Sequence, residues 1–256
     1  MSDIALDDRG FSLGHGLFET MLWSGGTLQL WSAHVERMAR GCRTLGLPPP
    51  DRAALDAAVH AALAAAGDPD RAAVRVNWSA GPGERGLDPP ETPRPRLSVT
   101  VSPITPTTTP VSLQLVKVRR NDRSPASRVK SLSYLDNVLA RAEARAAGAE
   151  EALMLNTGGE VACAAAANVF WIRHGEVFTP DLDCGVLDGI MRREVVAACH
   201  HLGLQFHEVF TNPGRMAGAP MFLTNSLIGV RAVSSLNGHP LPASPLVKAI
   251  ARAVTP

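Results

Sequence analysis

Apolar positions recur along the chain at two spacings, and the change from one to the other outlines the fold. Val35, Met38, Cys42 and Leu45 fall three or four residues apart, which predicts a helix capped by Ser32 and stopped at Gly46. Leu55, Val59, Ala62 and Leu63 repeat the pattern between a cap at Asp51 and Gly67. Val74, Val76 and Trp78 alternate with Arg75 and Asn77 and predict a half-buried strand, with Leu97, Val99 and Val101 as the next one. Residues 11–30 read as two short extended segments around Gly25-Gly26. The run Pro103-Ile104-Thr105-Pro106-Thr107-Thr108-Thr109-Pro110 has neither spacing and cannot be helical, so it predicts a boundary. The expected organisation is a small N-terminal α/β domain over 1–104, a linker over 105–110 and a larger domain over 111–256. The second part predicts strand 111–118, a polar loop 119–129 and a helix from Ser133 to Ala147. Strands 151–155 and 168–173 follow, around the turn Asn156-Thr157-Gly158-Gly159, and Gly175 marks another turn. Then come a helix from Asp188-Gly189 to Leu202, strands 205–210 and 221–224, a hairpin and helix 244–254. Helices and strands mix without regular alternation, so an α/β fold of the α+β kind in two lobes is expected.

Composition narrows the partners. The chain has 256 residues, with Lys plus Arg at 25 and Asp plus Glu at 24, a formal charge of +1. Nucleic acid binding calls for a concentrated basic face, which this balance does not supply. At 45% hydrophobic residues, a sizeable core is expected and wholesale disorder is not. No apolar run reaches membrane-helix length and the N-terminus does not read as a signal peptide, so a cytoplasmic protein is expected. Cys42, Cys163, Cys184 and Cys199 are scattered with no CxxC pair, which predicts reduced thiols and neither disulfides nor a metal site.

Several positions could carry chemistry, and each alone has an ordinary structural reading. Lys130 sits between a polar loop and a helix, where an amine can project from a rigid element, as a solvated surface lysine also can. Gly189-Ile190-Met191-Arg192 opens a helix whose free N–H groups suit an anion or simply a cap. Thr224-Asn225-Ser226 ends a strand with small polar side chains that could bond a phosphate or cap a helix. Arg37 lies among apolar residues and needs an anion partner; neighbouring Glu36 faces elsewhere. Arg85, in Gly83-Glu84-Arg85-Gly86, could clamp a substrate carboxylate or ride on a flexible loop.

Taken in order, these segments resemble one family. Asp8-Arg9-Gly10 with Gly14-His15-Gly16-Leu17-Phe18-Glu19-Thr20, His34-Val35-Glu36-Arg37-Met38, and Lys130-Ser131-Leu132-Ser133-Tyr134-Leu135 look like motifs of fold-type IV pyridoxal-phosphate enzymes. So do Asn168-Val169-Phe170 through Gly185-Val186-Leu187-Asp188-Gly189-Ile190-Met191-Arg192, and Phe222-Leu223-Thr224-Asn225-Ser226-Leu227. The family comprises the branched-chain and D-amino-acid aminotransferases and 4-amino-4-deoxychorismate lyase. The resemblance implies a two-lobed, D-amino-acid-aminotransferase-like architecture and a homodimer, with pyridoxal 5'-phosphate between a small N-terminal lobe and a larger C-terminal one. It implies that Lys130 links covalently to the cofactor and moves protons. Arg37, the backbone at Ile190 and Met191, and Ser226 would hold the phosphate. Arg85, Asn225 and Tyr134 would meet an amino-acid-like substrate.

The sequence departs from the pattern. Cys163 stands five residues before Asn168, where the family has the glutamate that bonds the pyridine nitrogen. A neutral thiol would leave that nitrogen largely unprotonated and weaken the electron sink, which harms transamination more than an elimination. Glu160 is three residues away, an odd spacing that puts it on the other strand face. A shifted register or an inactive copy would also explain Cys163. His15 replaces the usual aspartate, Leu87 replaces the tyrosine lyases often carry after Arg-Gly, and the strand before Asp8 is expected to be short or absent. The segments at 189–192 and 225–227 are closer to the lyase versions. The favoured expectation is therefore a lyase that eliminates pyruvate to give 4-aminobenzoate, a folate precursor. The alternatives are an aminotransferase for D- or branched-chain amino acids and a non-catalytic relic of the fold.

Overall fold

The structure is a computed structural model and describes residues 5–254. The chain divides into two compact units. One runs to Thr105 and takes in Val129–Tyr134; the other comprises Pro106–Arg128 and the chain from Leu135.

The first unit contains α1 (Arg9–Leu13), β1 (Gly16–Ser24), β2 (Thr27–Leu28), α2 (Trp31–Leu45), α3 (Arg52–Ala65), β3 (Arg71–Ser79) and β4 (Arg96–Pro103). Its antiparallel sheet has the order β2-β1-β3-β4. The alternation expected over 74–78 makes β3, and Val74 and Val76 pack with Leu17 and Met21 against Met38 and Cys42 of α2 and Leu55, Val59 and Leu63 of α3. Burying side chains of this size stabilises the unit by roughly 1.5–3 kcal/mol each. Asp51 caps α3 as expected, its Oδ1 accepting the Ala54 N–H at 2.8 Å. Ser32 does not cap α2. That helix starts at Trp31, and Leu30 precedes it in the left-handed region (φ 55°) with no side-chain cap, because the chain must reverse directly out of the hairpin.

The Lys130 segment was expected in the larger domain. It clusters with the first unit because it continues the pairing at the start of β1. The Phe18 N–H donates to Lys130 O and the Leu132 N–H donates to Gly16 O, both at 2.9 Å. Ahead of Asp8, residues 5–7 form no strand, and residues 1–4 lie outside the described residues.

The second unit contains β5 (Val111–Arg120), α4 (Pro125–Arg128), α5 (Leu135–Ala146), β6 (Glu151–Asn156), β7 (Val161–Ala164), β8 (Asn168–Arg173) and β9 (Glu176–Pro180). α6 (Ile190–His201), β10 (Phe206–Val209), β11 (Met221–Asn225), β12 (Gly229–Leu236), β13 (His239–Pro240) and α7 (Pro245–Ala253) complete it. Its mixed sheet follows the path β10-β9-β8-β11-β12-β5-β6-β7, with β13 beside β12. One sheet face buries Leu113, Leu153, Val169, Met221 and Leu223. The opposite face of β5, β6 and β7 is covered by α5, whose Ala140 and Ala144 meet Val116, Met154 and Cys163. Four cysteines are free and buried. Among the described residues, no helix is long and apolar enough to cross a membrane, and no cluster of His, Cys, Asp and Glu suits a metal ion.

Candidate functional site

In the first unit the candidate chemistry gathers around Phe18 of β1. The Lys130 Nζ lies 4.1 Å from the Phe18 ring centroid and 5.3 Å from that of Tyr134. Tyr134 meets Phe18 edge-on at 5.1 Å, and the Arg75 guanidinium lies 3.8 Å from the same Phe18 centroid. Lys130 is thus half-buried against aromatic rings and is not a fully solvated surface lysine.

The next residue on β1 supplies the anion that Arg37 needs. Glu19 accepts from Arg37 Nε at 2.8 Å and Nη2 at 2.5 Å, and from His34 Nδ1 at 2.7 Å. Burial works to raise the Glu19 pKa, but Arg37 and His34 outweigh it and the carboxyl is lowered to about 2. Burial lowers the pKa of His34, so the ring is neutral and its Nδ1–H is the donor. The positive charge of Lys130 acts on His34 as well, which ties the lysine electrostatically to this cluster. Glu19 was legible only as part of a motif; its bond to Arg37 joins a strand to a helix 18 residues away.

Arg85 is exposed, on a loop held from behind by Arg9. Arg9 is buried in α1; its Nη1 donates to Gly86 O at 3.2 Å and its Nη2 to Leu87 O at 2.8 Å. Its Nε donates to His15 Nδ1 at 3.4 Å, and His15 Nε2 is 3.2 Å from Leu45 O. His15 therefore serves this latch as an acceptor.

In the second unit α6 begins at Ile190 after Gly189, which has no side chain to cap it. Gly189 is required by close approach, since a Cβ there would lie 2.0 Å from Asn168 Oδ1. Asn168 pairs with Thr224 across β8 and β11, so both side chains lie on the sheet face that meets the start of α6. The Thr224 hydroxyl is completely buried and has no hydrogen-bond partner. A buried hydroxyl beside an uncapped helix N-terminus is a set of donors arranged for an anion. Asp188 would oppose one, but it is paired with Arg193. Asn225 is engaged elsewhere. Its Oδ1 accepts from Leu227 N at 2.9 Å and Ile228 N at 3.0 Å, and its Nδ2 donates to Ala166 O at 2.9 Å. The side chain expected to meet substrate is thus held at three points and shapes the turn that carries Ser226.

Cys163 is buried in β7, and burial raises its pKa, so it is a neutral thiol. Glu160 does not replace the missing carboxylate. Its Oε2 accepts from Asn156 Nδ2 at 2.8 Å, at the turn ahead of β7.

The sequence model of the family amino-transferase class IV matches residues 16–236. The chain belongs to this family. Class IV proteins are pyridoxal-phosphate-dependent enzymes, so this protein is a pyridoxal-phosphate-dependent lyase or aminotransferase of class IV. An aminodeoxychorismate lyase of Vibrio harveyi is 30% identical over 241 residues, 91% of this chain and 88% of that protein. A putative 4-amino-4-deoxychorismate lyase of Legionella pneumophila superposes with a TM-score of 0.88 at 28% identity, over 98% of this chain and 93% of its own. A branched-chain aminotransferase of Thermoproteus uzoniensis superposes with a TM-score of 0.90 at 25% identity, over 99% and 88%. The fold is thus that of the fold-type IV enzymes, as expected. Within each unit the chemistry suits such a cofactor: in the first, Lys130 offers an amine of the kind an aldehyde requires, and in the second, the α6 N-terminus and the orphaned Thr224 hydroxyl offer donors of the kind a phosphate requires.

Proposed function

We propose that the protein is a class IV lyase that converts 4-amino-4-deoxychorismate to 4-aminobenzoate and pyruvate. Similarity to two lyases along nearly the whole chain supports this, and the neutral, buried Cys163 is the observation that carries it. When bound, the cofactor supplies the electron sink for the carbon under attack. Lys130 takes the proton from that carbon and later gives one to the departing enolpyruvyl fragment. Arg37, the Ile190 and Met191 N–H groups and Ser226 bind the phosphate, and Thr224 adds its hydroxyl. Cys163 faces the ring nitrogen. Arg85 engages a substrate carboxylate, Tyr134 orients Lys130 from the side, and Asn225 holds the turn. The protein acts as a homodimer in the cytoplasm.

The second reading is an aminotransferase, favoured by the superposition on the Thermoproteus enzyme. Absorption spectra with added cofactor decide between them. A band near the visible edge that is lost in Lys130→Ala is expected. Pyruvate release from aminodeoxychorismate, without bleaching by D-alanine or L-leucine, is the lyase outcome. Bleaching by either amino acid alone is the aminotransferase outcome. A protein that stays colourless with added cofactor removes both.

A further inference from the structure

The surroundings of Cys163 contain a charge that the sequence did not announce. Arg120, at the end of β5, pairs with Asn156 of β6, and Met154 of the same strand pairs with Cys163. The two-residue alternation of strands puts Arg120, Met154 and Cys163 on one face of the sheet, the face that α5 covers. Arg120 is buried. Its Nε donates to Gly185 O at 3.0 Å, its Nη1 to Asn137 Oδ1 at 3.2 Å and its Nη2 to Ser127 O. All three acceptors are neutral. Asn137 in turn donates to Ala165 O at 2.7 Å, two residues beyond Cys163. The guanidinium is therefore satisfied as a donor but not neutralised as a charge.

Two charged groups act on Cys163, Arg120 and Glu151. Glu151 is already engaged: it accepts from its neighbour Ala152 N at 2.9 Å and from Arg141 Nη1 at 3.1 Å. Among the described residues, no other group of this wall brings a negative charge to bear on Cys163.

We propose that Arg120, rather than the thiol of Cys163, sets the charge of the cofactor's ring nitrogen and holds it unprotonated. The inference rests on the proposed function, in which Cys163 faces that nitrogen. A protonated ring would place a second positive charge beside a fixed, buried one, in surroundings that screen poorly. A thiol can donate to the ring nitrogen or ignore it, but it cannot repel a proton. Arg120 can, because its guanidinium carries a fixed positive charge. The consequence for chemistry is a weaker electron sink, suited to a substrate that discharges the carbanion by losing a leaving group.

The test is a nitrogen-15 spectrum of the holoenzyme loaded with ring-labelled pyridoxal phosphate, for the wild type, Cys163→Ala, Arg120→Gln and Cys163→Glu. The expected result is a neutral-pyridine resonance in the wild type and in Cys163→Ala. Arg120→Gln is expected to let the nitrogen titrate, and Cys163→Glu to move the resonance to the pyridinium position. A pyridinium resonance in the wild type overturns the proposal, and so does an Arg120→Gln spectrum identical to that of the wild type. If Arg120→Gln does not fold, Cys163→Ala decides: a neutral ring there leaves Arg120 responsible, and a protonated one returns the role to the thiol. A protein that takes up no cofactor fails the functional reading itself. One that takes it up with a protonated ring fails only this inference.

Discussion

Glu19 and Arg120 are both charges buried beside residues assigned to the cofactor, and the two units handle them in opposite ways. Glu19 accepts from Arg37 at both oxygens and from His34 at Oε2, and its carboxyl is lowered to about 2. Arg120 has three neutral oxygens and no counter-charge among them. The first arrangement fixes Arg37 by pairing it. The second leaves a positive field uncompensated and makes it available to act on whatever is placed nearby. Arg9 repeats the second arrangement on a smaller scale, donating to His15 Nδ1, Gly86 O and Leu87 O. Arg9 and Arg120 thus share one physical setting: each is buried and donates to two backbone carbonyls and one side chain.

The contrast can be broken most directly by cutting each cluster. Glu19→Ala leaves a buried guanidinium without its counter-ion and is expected to cost about 3–5 kcal/mol in urea unfolding. Arg120→Met removes a charge that had none, leaves three carbonyls to find water, and is expected to cost about 1–3 kcal/mol. A larger loss in Arg120→Met than in Glu19→Ala would sink the comparison. The next effect is on acid stability. The folded pKa of Glu19 is depressed from 4.5 to about 2, so the stability it confers is present above pH 4.5 and is lost as pH falls toward 2. That acid limb is worth about 3 kcal/mol and is expected to disappear in Glu19→Gln. Thr224→Val is expected to leave the cofactor-free protein as stable as before, or up to about 1 kcal/mol more so, because the lost hydroxyl had no partner. Its phosphate affinity, measured by cofactor titration, should fall; a stability loss without an affinity loss would remove Thr224 from the anion site. An effect of similar size is expected from His15→Asp, which puts a carboxylate beside Arg9 and should raise the melting temperature by an amount equivalent to about 1 kcal/mol.

Elements that announce themselves by period were legible. Val35 to Leu45 gave α2 within two residues of its observed start and at its observed end, and β8 matches the expected 168–173. β7 was missed because Val161-Ala162-Cys163-Ala164 is buried at every position, so no alternation marks it. α4 was missed because four residues, the first of them Pro125, are too short for a helical period. Lys130, Arg37 and the α6 N-terminus were legible as candidates from motifs. The Glu19–Arg37 and Arg120–Asn137 contacts could not, because each joins elements 17 or 18 residues apart through side chains with no shared periodicity. Asn225 has a residue type suited to a substrate; its amide oxygen is held by Leu227 N and Ile228 N of its own turn and its nitrogen donates to Ala166 O, contacts that no sequence period announces.

The segment Val129–Tyr134 has a further consequence. The chain leaves the first unit after Thr105, returns to it for these residues and leaves again at Leu135, so it changes units three times. Cutting within 105–110 would not release two self-sufficient halves. The N-terminal piece would lack the stretch that completes the edge of β1, and the C-terminal piece would carry that stretch with nothing to pair it. During synthesis the first unit stays unfinished until Tyr134 has left the ribosome, by which time β5 and α4 are already in hand. Lys130 is thus positioned only when the chain has begun building both units, and a protein cut or stalled before that point has no means of presenting it.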